Sequence, residues 1–165
     1  MKRFLSCLFL FSILVLNTGC KKSSAVTAVT TGLSFNATIS SHNSFIECDA
    51  VIDKNGSYEF TVTAPEKAKG LKITYKGNKV LSFNGLEYNI DGNYEKYGIL
   101  DKLYEILLSA ENNKNKVNKI DNSYILKGKT DEDDYEILLG ESGIPIKITS
   151  GNIEIAIKNA TITDN

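Results

Sequence analysis

Apolar residues recur at every second position through most of the chain beyond residue 31, and that period predicts strands. Leu33, Phe35, Ala37 and Ile39 share one face of a first run, and Ile46, Cys48, Ala50 and Ile52 one face of a second. Asp53-Lys54-Asn55-Gly56 then predicts a hairpin turn, because Asn-Gly accepts positive φ at both central positions. Tyr58, Phe60, Val62 and Ala64 continue the alternation, and Pro65 to Gly70 makes a connection. Leu71, Ile73 and Tyr75 lead to a Gly77-Asn78 turn, and Asn84-Gly85 separates Val80–Phe83 from Leu86, Tyr88 and Ile90.

The period then changes. Ile99, Leu100, Leu103, Tyr104, Ile106, Leu107 and Ala110 fit a wide apolar arc on a helix, with Asp101, Lys102, Glu105 and Ser109 on its polar face. Asp101 suits the positive helix start. Two-residue alternation returns at Tyr124–Gly128, Tyr135–Leu139, Ile146–Ile148 and Ile153–Ile157, with the Asp131–Asp134 run as a solvated hairpin tip. About nine strands and one main helix are predicted. The fold class is mainly β (α+β): a strongly curved antiparallel sheet, an unclosed β-barrel, whose apolar face the helix covers.

The start of the chain follows a different rule. Met1-Lys2-Arg3 precedes an apolar run of 13 residues, Phe4 to Leu16, and then Asn17-Thr18-Gly19-Cys20-Lys21-Lys22. A basic start, an apolar stretch too short to span a bilayer and a small residue before the break predict a secretory signal over residues 1–19. The Gly19-Cys20 junction resembles a bacterial lipobox, which implies a diacylglyceryl thioether on Cys20. Cleavage by an ordinary signal peptidase is the alternative. Residues 20–31 then form a lipidated cysteine and polar tether, and residues 32–165 a single β domain. The implied location is the cell membrane, lipid-anchored and facing outside the cytoplasm.

Charge narrows the function. The whole chain carries a net charge of −1, and losing Lys2 and Arg3 with the leader takes it to −3. A nucleic-acid partner is therefore not expected. With Cys7 removed and Cys20 acylated, Cys48 is the one cysteine left. Disulfide and metal spacings are absent from the sequence, and Cys48 reads as a small buried apolar residue. His42 is the only histidine and sits in a polar turn, Ser40-Ser41-His42-Asn43-Ser44. A nucleophile elbow is not found, so no catalytic residue is assigned, an enzyme is not expected, and neither is a cofactor.

The stretch Leu33–Ile90 resembles the LolA/LolB-type lipoprotein-carrier superfamily. The resemblance rests on Gly32-Leu33-Ser34-Phe35-Asn36-Ala37-Thr38-Ile39, on Tyr58-Glu59-Phe60-Thr61-Val62 running to Pro65, on Lys69-Gly70-Leu71-Lys72-Ile73-Thr74-Tyr75, and on Asn84-Gly85-Leu86-Glu87-Tyr88. It implies an unclosed barrel with helical cover and a cavity that can take acyl chains. An anchored protein of this kind resembles a receptor more than a shuttle. The many Lys, Asn and Ile residues fit a small membrane lipoprotein of a Gram-positive bacterium.

Two function classes follow. The first is a membrane-anchored lipoprotein that binds a lipid, acyl or other apolar ligand, with Phe35, Phe60, Leu71, Ile73, Tyr75, Phe83, Tyr88, Leu103 and Ile106 as candidate lining. The second is a non-catalytic scaffold that docks a partner protein at the membrane surface. Alternating strands look alike whether the inside is packed or hollow, so the sequence leaves both open.

Overall fold

The computed structural model describes residues 26–42, 44–90, 98–121 and 123–163. The expected leader, residues 1–19, and the expected lipidation site, Cys20, lie outside the described residues. Eleven strands form one antiparallel sheet: β1 (Leu33–Ser41), β2 (Ser44–Ile52), β3 (Tyr58–Ala64), β4 (Lys72–Tyr75), β5 (Lys79–Phe83), β6 (Leu86–Ile90), β7 (Asn118–Ile120), β8 (Ser123–Lys129), β9 (Asp134–Leu139), β10 (Pro145–Ser150) and β11 (Ile153–Ile162). Among the described residues one α-helix, α1 (Ile99–Glu111), lies between β6 and β7 in sequence. The strands run β6-β5-β4-β3-β2-β1-β11-β10-β9-β8-β7 across the sheet.

That order explains the plan. The first and last strands pair at the centre, with Ala37 opposite Ile157 and Ile39 opposite Ile155. Two meanders run outward from this pair. β6 and β7 end at opposite edges and do not pair, so the barrel stays unclosed. The chain must return from one edge to the other, and α1 lies on that return path. This is the curved, unclosed sheet with a covering helix that the alternation predicts. Eleven strands stand against about nine expected, and the one that matches no run read from the sequence is β7, whose three residues are all exposed. It carries no apolar alternation to read.

One apolar layer fills the space between helix and sheet. Leu33, Phe35, Ala37, Ile39, Cys48, Ala50, Ile52, Phe60 and Val62 from β1–β3 meet Leu100, Leu103, Ile106, Leu107 and Ala110 from α1. Leu126, Ile137, Ile148 and Ile155 complete it from β8–β11. Gly128 lies opposite Tyr135 in the β8–β9 ladder. A Cβ there would sit on the Tyr135 ring, so glycine lets the ring lie across its neighbour strand.

The helix is pinned by its polar side as well. Asp101 and Lys102, expected to face solvent, reach sideways instead. Asp101 pairs with Lys79 of β5, and Lys102 with Asp133 in the β8–β9 turn. Tyr104 donates to the Gly56 carbonyl at 2.7 Å, and Ser109 to the Lys129 carbonyl at 3.0 Å.

Two turns separate by local chemistry. Asn84-Gly85 adopts positive φ at both residues, 50° and 79°, the two-residue hairpin geometry. At Asp53–Gly56 only Gly56 is positive, at 84°, and its N–H donates to the Asp53 carbonyl at 3.1 Å. There Asn55 instead accepts the Ser57 N–H on Oδ1 at 2.8 Å. The Asn-Gly pair therefore marks the turn correctly but not its type.

Residues 26–31, grouped by composition with the polar tether, run against the fold. Ala28 N–H donates to the Lys114 carbonyl at 3.0 Å and Val29 N–H to the Gly143 carbonyl at 2.9 Å. Thr30, fully buried, donates to Glu111 at 2.8 Å. Burial raises the Glu111 carboxyl, but the Lys114 and Thr30 donors outweigh it and hold the group below its ordinary value.

Candidate functional site

The register across β3–β6 carries the inner face of the sheet beyond the helix. Phe60 faces Ile73, Ile73 faces Leu81 and Leu81 faces Tyr88. A second row runs Tyr58, Tyr75, Lys79, Ile90. Residues directly opposite in an antiparallel ladder share a face, so the whole wing turns apolar groups inward. Eleven strands about 4.8 Å apart span roughly 48 Å. The 13-residue helix is about 20 Å long and cannot cover that width. The uncovered part is the wing: Leu86 is 77% exposed, Tyr88 71% and Tyr75 36%.

Where wing and helix meet, a cleft of about 300 Å³ opens, lined by Tyr58, Tyr75, Lys79, Asp101, Tyr104, Glu105 and Leu108. Its volume lies at the small end of ligand pockets, and its wall is mostly apolar. Three tyrosines form one side. The Tyr58 and Tyr75 rings stack with centroids 5.6 Å apart, and the Tyr58 and Tyr104 rings tilt at 4.3 Å.

Its polar corner is an ion pair. Lys79 Nζ lies 2.5 Å from each Asp101 carboxylate oxygen, and Tyr58 donates its hydroxyl to Asp101 at 3.2 Å. Burial, then the Asp101 charge, raises the Tyr58 phenol well above its ordinary value. Burial and Tyr75 push Tyr104 the same way. Both phenols stay protonated at neutral pH and act as neutral donors. The cleft therefore offers one compensated charge pair and the Glu105 carboxylate beside aromatic surface, which suits an amphiphile more than a wholly apolar ligand.

A larger hollow of about 830 Å³ lies elsewhere, against β8–β10, lined among others by Lys116, Lys127, Lys129, Asp134, Glu136 and Ser150. It is an open, polar depression with mixed charges, so the smaller aromatic cleft is the better candidate despite its size.

The sequence-derived lining splits in two. Phe35, Phe60, Leu103 and Ile106 are buried in the packed core between α1 and the sheet. Leu71 and Ile73 are half-buried at its margin. Tyr75 joins the cleft, and Phe83 and Tyr88 stand on the wing. Tyr58, Lys79, Asp101, Tyr104, Glu105 and Leu108 were not among the candidates. Tyr58 was legible from its place two residues before Phe60. The Lys79–Asp101 pair joins residues 22 apart on different elements, and no local pattern announces it.

Cys48 is buried on β2, facing Ala37 and Val62. Burial, then the Asp49 charge, pushes its thiol up to about 12 from an ordinary value near 9. The folded chain keeps this proton where the unfolded chain releases it. The resulting stability is intact below pH 9 and is lost as pH rises towards 12. Tyr58 acts in the same direction. We expect urea-unfolding free energy to fall steadily above pH 9, with a shallower fall in Cys48→Ala. Equal slopes in both proteins would refute the Cys48 contribution.

His42, at φ 48° beyond β1, has Nδ1 2.6 Å from Asn152 Nδ2 at the exposed surface. The acidic run closes the β8–β9 hairpin, where Thr130 Oγ1 accepts the Asp133 N–H at 3.1 Å. Among the described residues, no group of three or more His, Cys, Asp or Glu is gathered as a metal site would need. No helix among them is long and apolar enough to cross a membrane.

No family model matches the chain, and no curated protein matches it. Solved structures do. A DUF1329 family protein from Desulfovibrio piger is similar at 11% identity and a TM-score of 0.40, over 82% of this chain and 88% of that one. A LolA superfamily protein from Nitrosomonas europaea is similar at 10% identity and a TM-score of 0.49, over 88% of this chain and 92% of that one.

Proposed function

We propose that this chain is a membrane-anchored, extracytoplasmic lipoprotein that binds a lipid, an acyl chain or another apolar ligand against the β4–β6 wing and the cleft beside α1. The observation that carries this reading is the inner face left bare by a helix too short to cover the sheet. Leu81, Phe83, Leu86 and Tyr88 extend the core face into solvent, and the aromatic cleft adjoins them. Binding would come from burial of this apolar surface, worth roughly 25 cal/mol per Å². Cys20 would hold the protein on the membrane, with each buried acyl CH₂ worth about 0.8 kcal/mol. The reading is of a binding protein: the cleft sets the Lys79–Asp101 pair, two protonated phenols and the Glu105 carboxylate beside aromatic surface.

A fluorescent fatty-acid probe tests it. The chain should take up the probe saturably. Phe83→Asp, on the half-buried wing, should weaken uptake at least tenfold and leave the unfolding midpoint nearly unchanged. Uptake that Phe83→Asp does not alter would place the ligand elsewhere and sink this site. If the probe is ignored altogether, the scaffold reading, a partner protein docked at the membrane surface, takes its place.

A further inference from the structure

The two edges of the sheet are built differently. β7 is three residues long and carries Lys119, a length and a side chain that discourage pairing with another chain. β6 is five residues long, contains neither lysine nor proline, and pairs with β5 without a bulge. Among the described residues no strand pairs with its outer edge, and its two most exposed apolar side chains, Leu86 and Tyr88, lie on one face.

Hydrogen-bond phase along β6 follows from its turn. Asn84-Gly85 is a two-residue hairpin, so the flanking Phe83–Leu86 pair is a hydrogen-bonded one. Alternation makes Leu81–Tyr88 and Lys79–Ile90 bonded pairs too. The N–H and C=O of Glu87 and Asn89 therefore point outward, with no strand among the described residues to meet them.

We propose that β6 pairs antiparallel with β6 of a second copy of this chain, about a two-fold axis through Tyr88. In that register Glu87 faces Asn89 of the second copy and Asn89 faces its Glu87. Their outward groups make four backbone hydrogen bonds. The two Tyr88 residues face each other as a non-bonded pair, Cα atoms about 4.5 Å apart. Leu86 faces Ile90 of the second copy on the same inner side, so apolar meets apolar. Centring the axis on Glu87 instead sets two carboxylates directly opposite. The pairing is self-complementary, as a two-fold interface requires. It joins the two bare wings into one apolar trough and covers the open edge.

Disulfide trapping in membranes from cells making the full chain tests this. Tyr88→Cys places two thiols across the axis, at a cross-strand Cβ separation of about 4.5–5.5 Å that small shifts close to a disulfide. Under a mild oxidant it should give at least fivefold more disulfide dimer than Lys119→Cys on the other edge, over the background of the parent chain's own cysteines. Glu87→Cys should stay at the Lys119→Cys level, because residue 87 faces residue 89 and not itself. Adding Asn89→Pro to Tyr88→Cys removes an outward N–H while sparing the β5 pairing, and should return the dimer to that level. The proposal is overturned if Tyr88→Cys traps no more dimer than Lys119→Cys, if Glu87→Cys traps as much, or if Asn89→Pro has no effect. Crosslinking of Tyr88→Cys only to a different protein also overturns it. None of these readouts depends on ligand binding.

Discussion

Leu103→Asp is expected to leave the chain unfolded at 25 °C. Leu103 is fully buried at the middle of α1, in the layer that joins the helix to both halves of the sheet. Truncating such a residue to alanine costs about 2–5 kcal/mol through lost transfer energy and the cavity left behind. Aspartate adds the cost of a carboxylate with no partner in an apolar layer. A domain has about 5–15 kcal/mol to lose. Far-UV circular dichroism should show strand and helix signal lost in Leu103→Asp and kept in Leu103→Ala. Leu108→Asp is the control: its side chain is 41% exposed at the cleft, and it should shift stability by about 0.5 kcal/mol or less. A folded Leu103→Asp would mean that the helix does not seal the core.

The second large effect is at Asp101. Its carboxylate takes both the Lys79 ammonium and the Tyr58 hydroxyl, at a corner where Lys79 and Asp101 are mostly shielded from water. Asp101→Ala strands both partners. Breaking a buried pair from one side costs about 3–5 kcal/mol, and the residual exposure here puts the expectation near 3 kcal/mol. Replacing both members, Lys79→Met with Asp101→Leu, should recover most of that loss, since no charge is left behind. The pair is also the link between the wing and the helix. Hydrogen exchange in β4–β6 should therefore quicken in Asp101→Ala more than in β8–β10. Equal losses in the single and double variants, or exchange spread evenly over the sheet, would refute this role.

Most of the sheet was legible because burial on one face writes itself into alternation. β1, β2 and β3 each bury every second residue over part or all of their length, and their side chains could be read as facing one way. The helix was legible for the same reason at its own period. β7 was not, because a three-residue exposed edge has no inside to mark it. The candidate lining was only half legible. Phe35 and Phe83 look alike in sequence, since both sit in alternating runs. What separates them is whether the helix lies over them, and that depends on strand order and helix length. The Lys79–Asp101 corner was hidden more deeply. Asp101 suits a helix start whether or not a lysine from the sheet reaches it, and only the packed structure supplies that lysine.

The claim that the wing is a bare ligand-binding face is tested most directly by native mass spectrometry of the protein purified without detergent and then incubated with fatty acid and phospholipid. A bound adduct of one such mass is expected at saturable stoichiometry, and its loss in Phe83→Asp. A clean apo mass that stays clean at saturating lipid would contradict it, and would leave the wing to a protein partner.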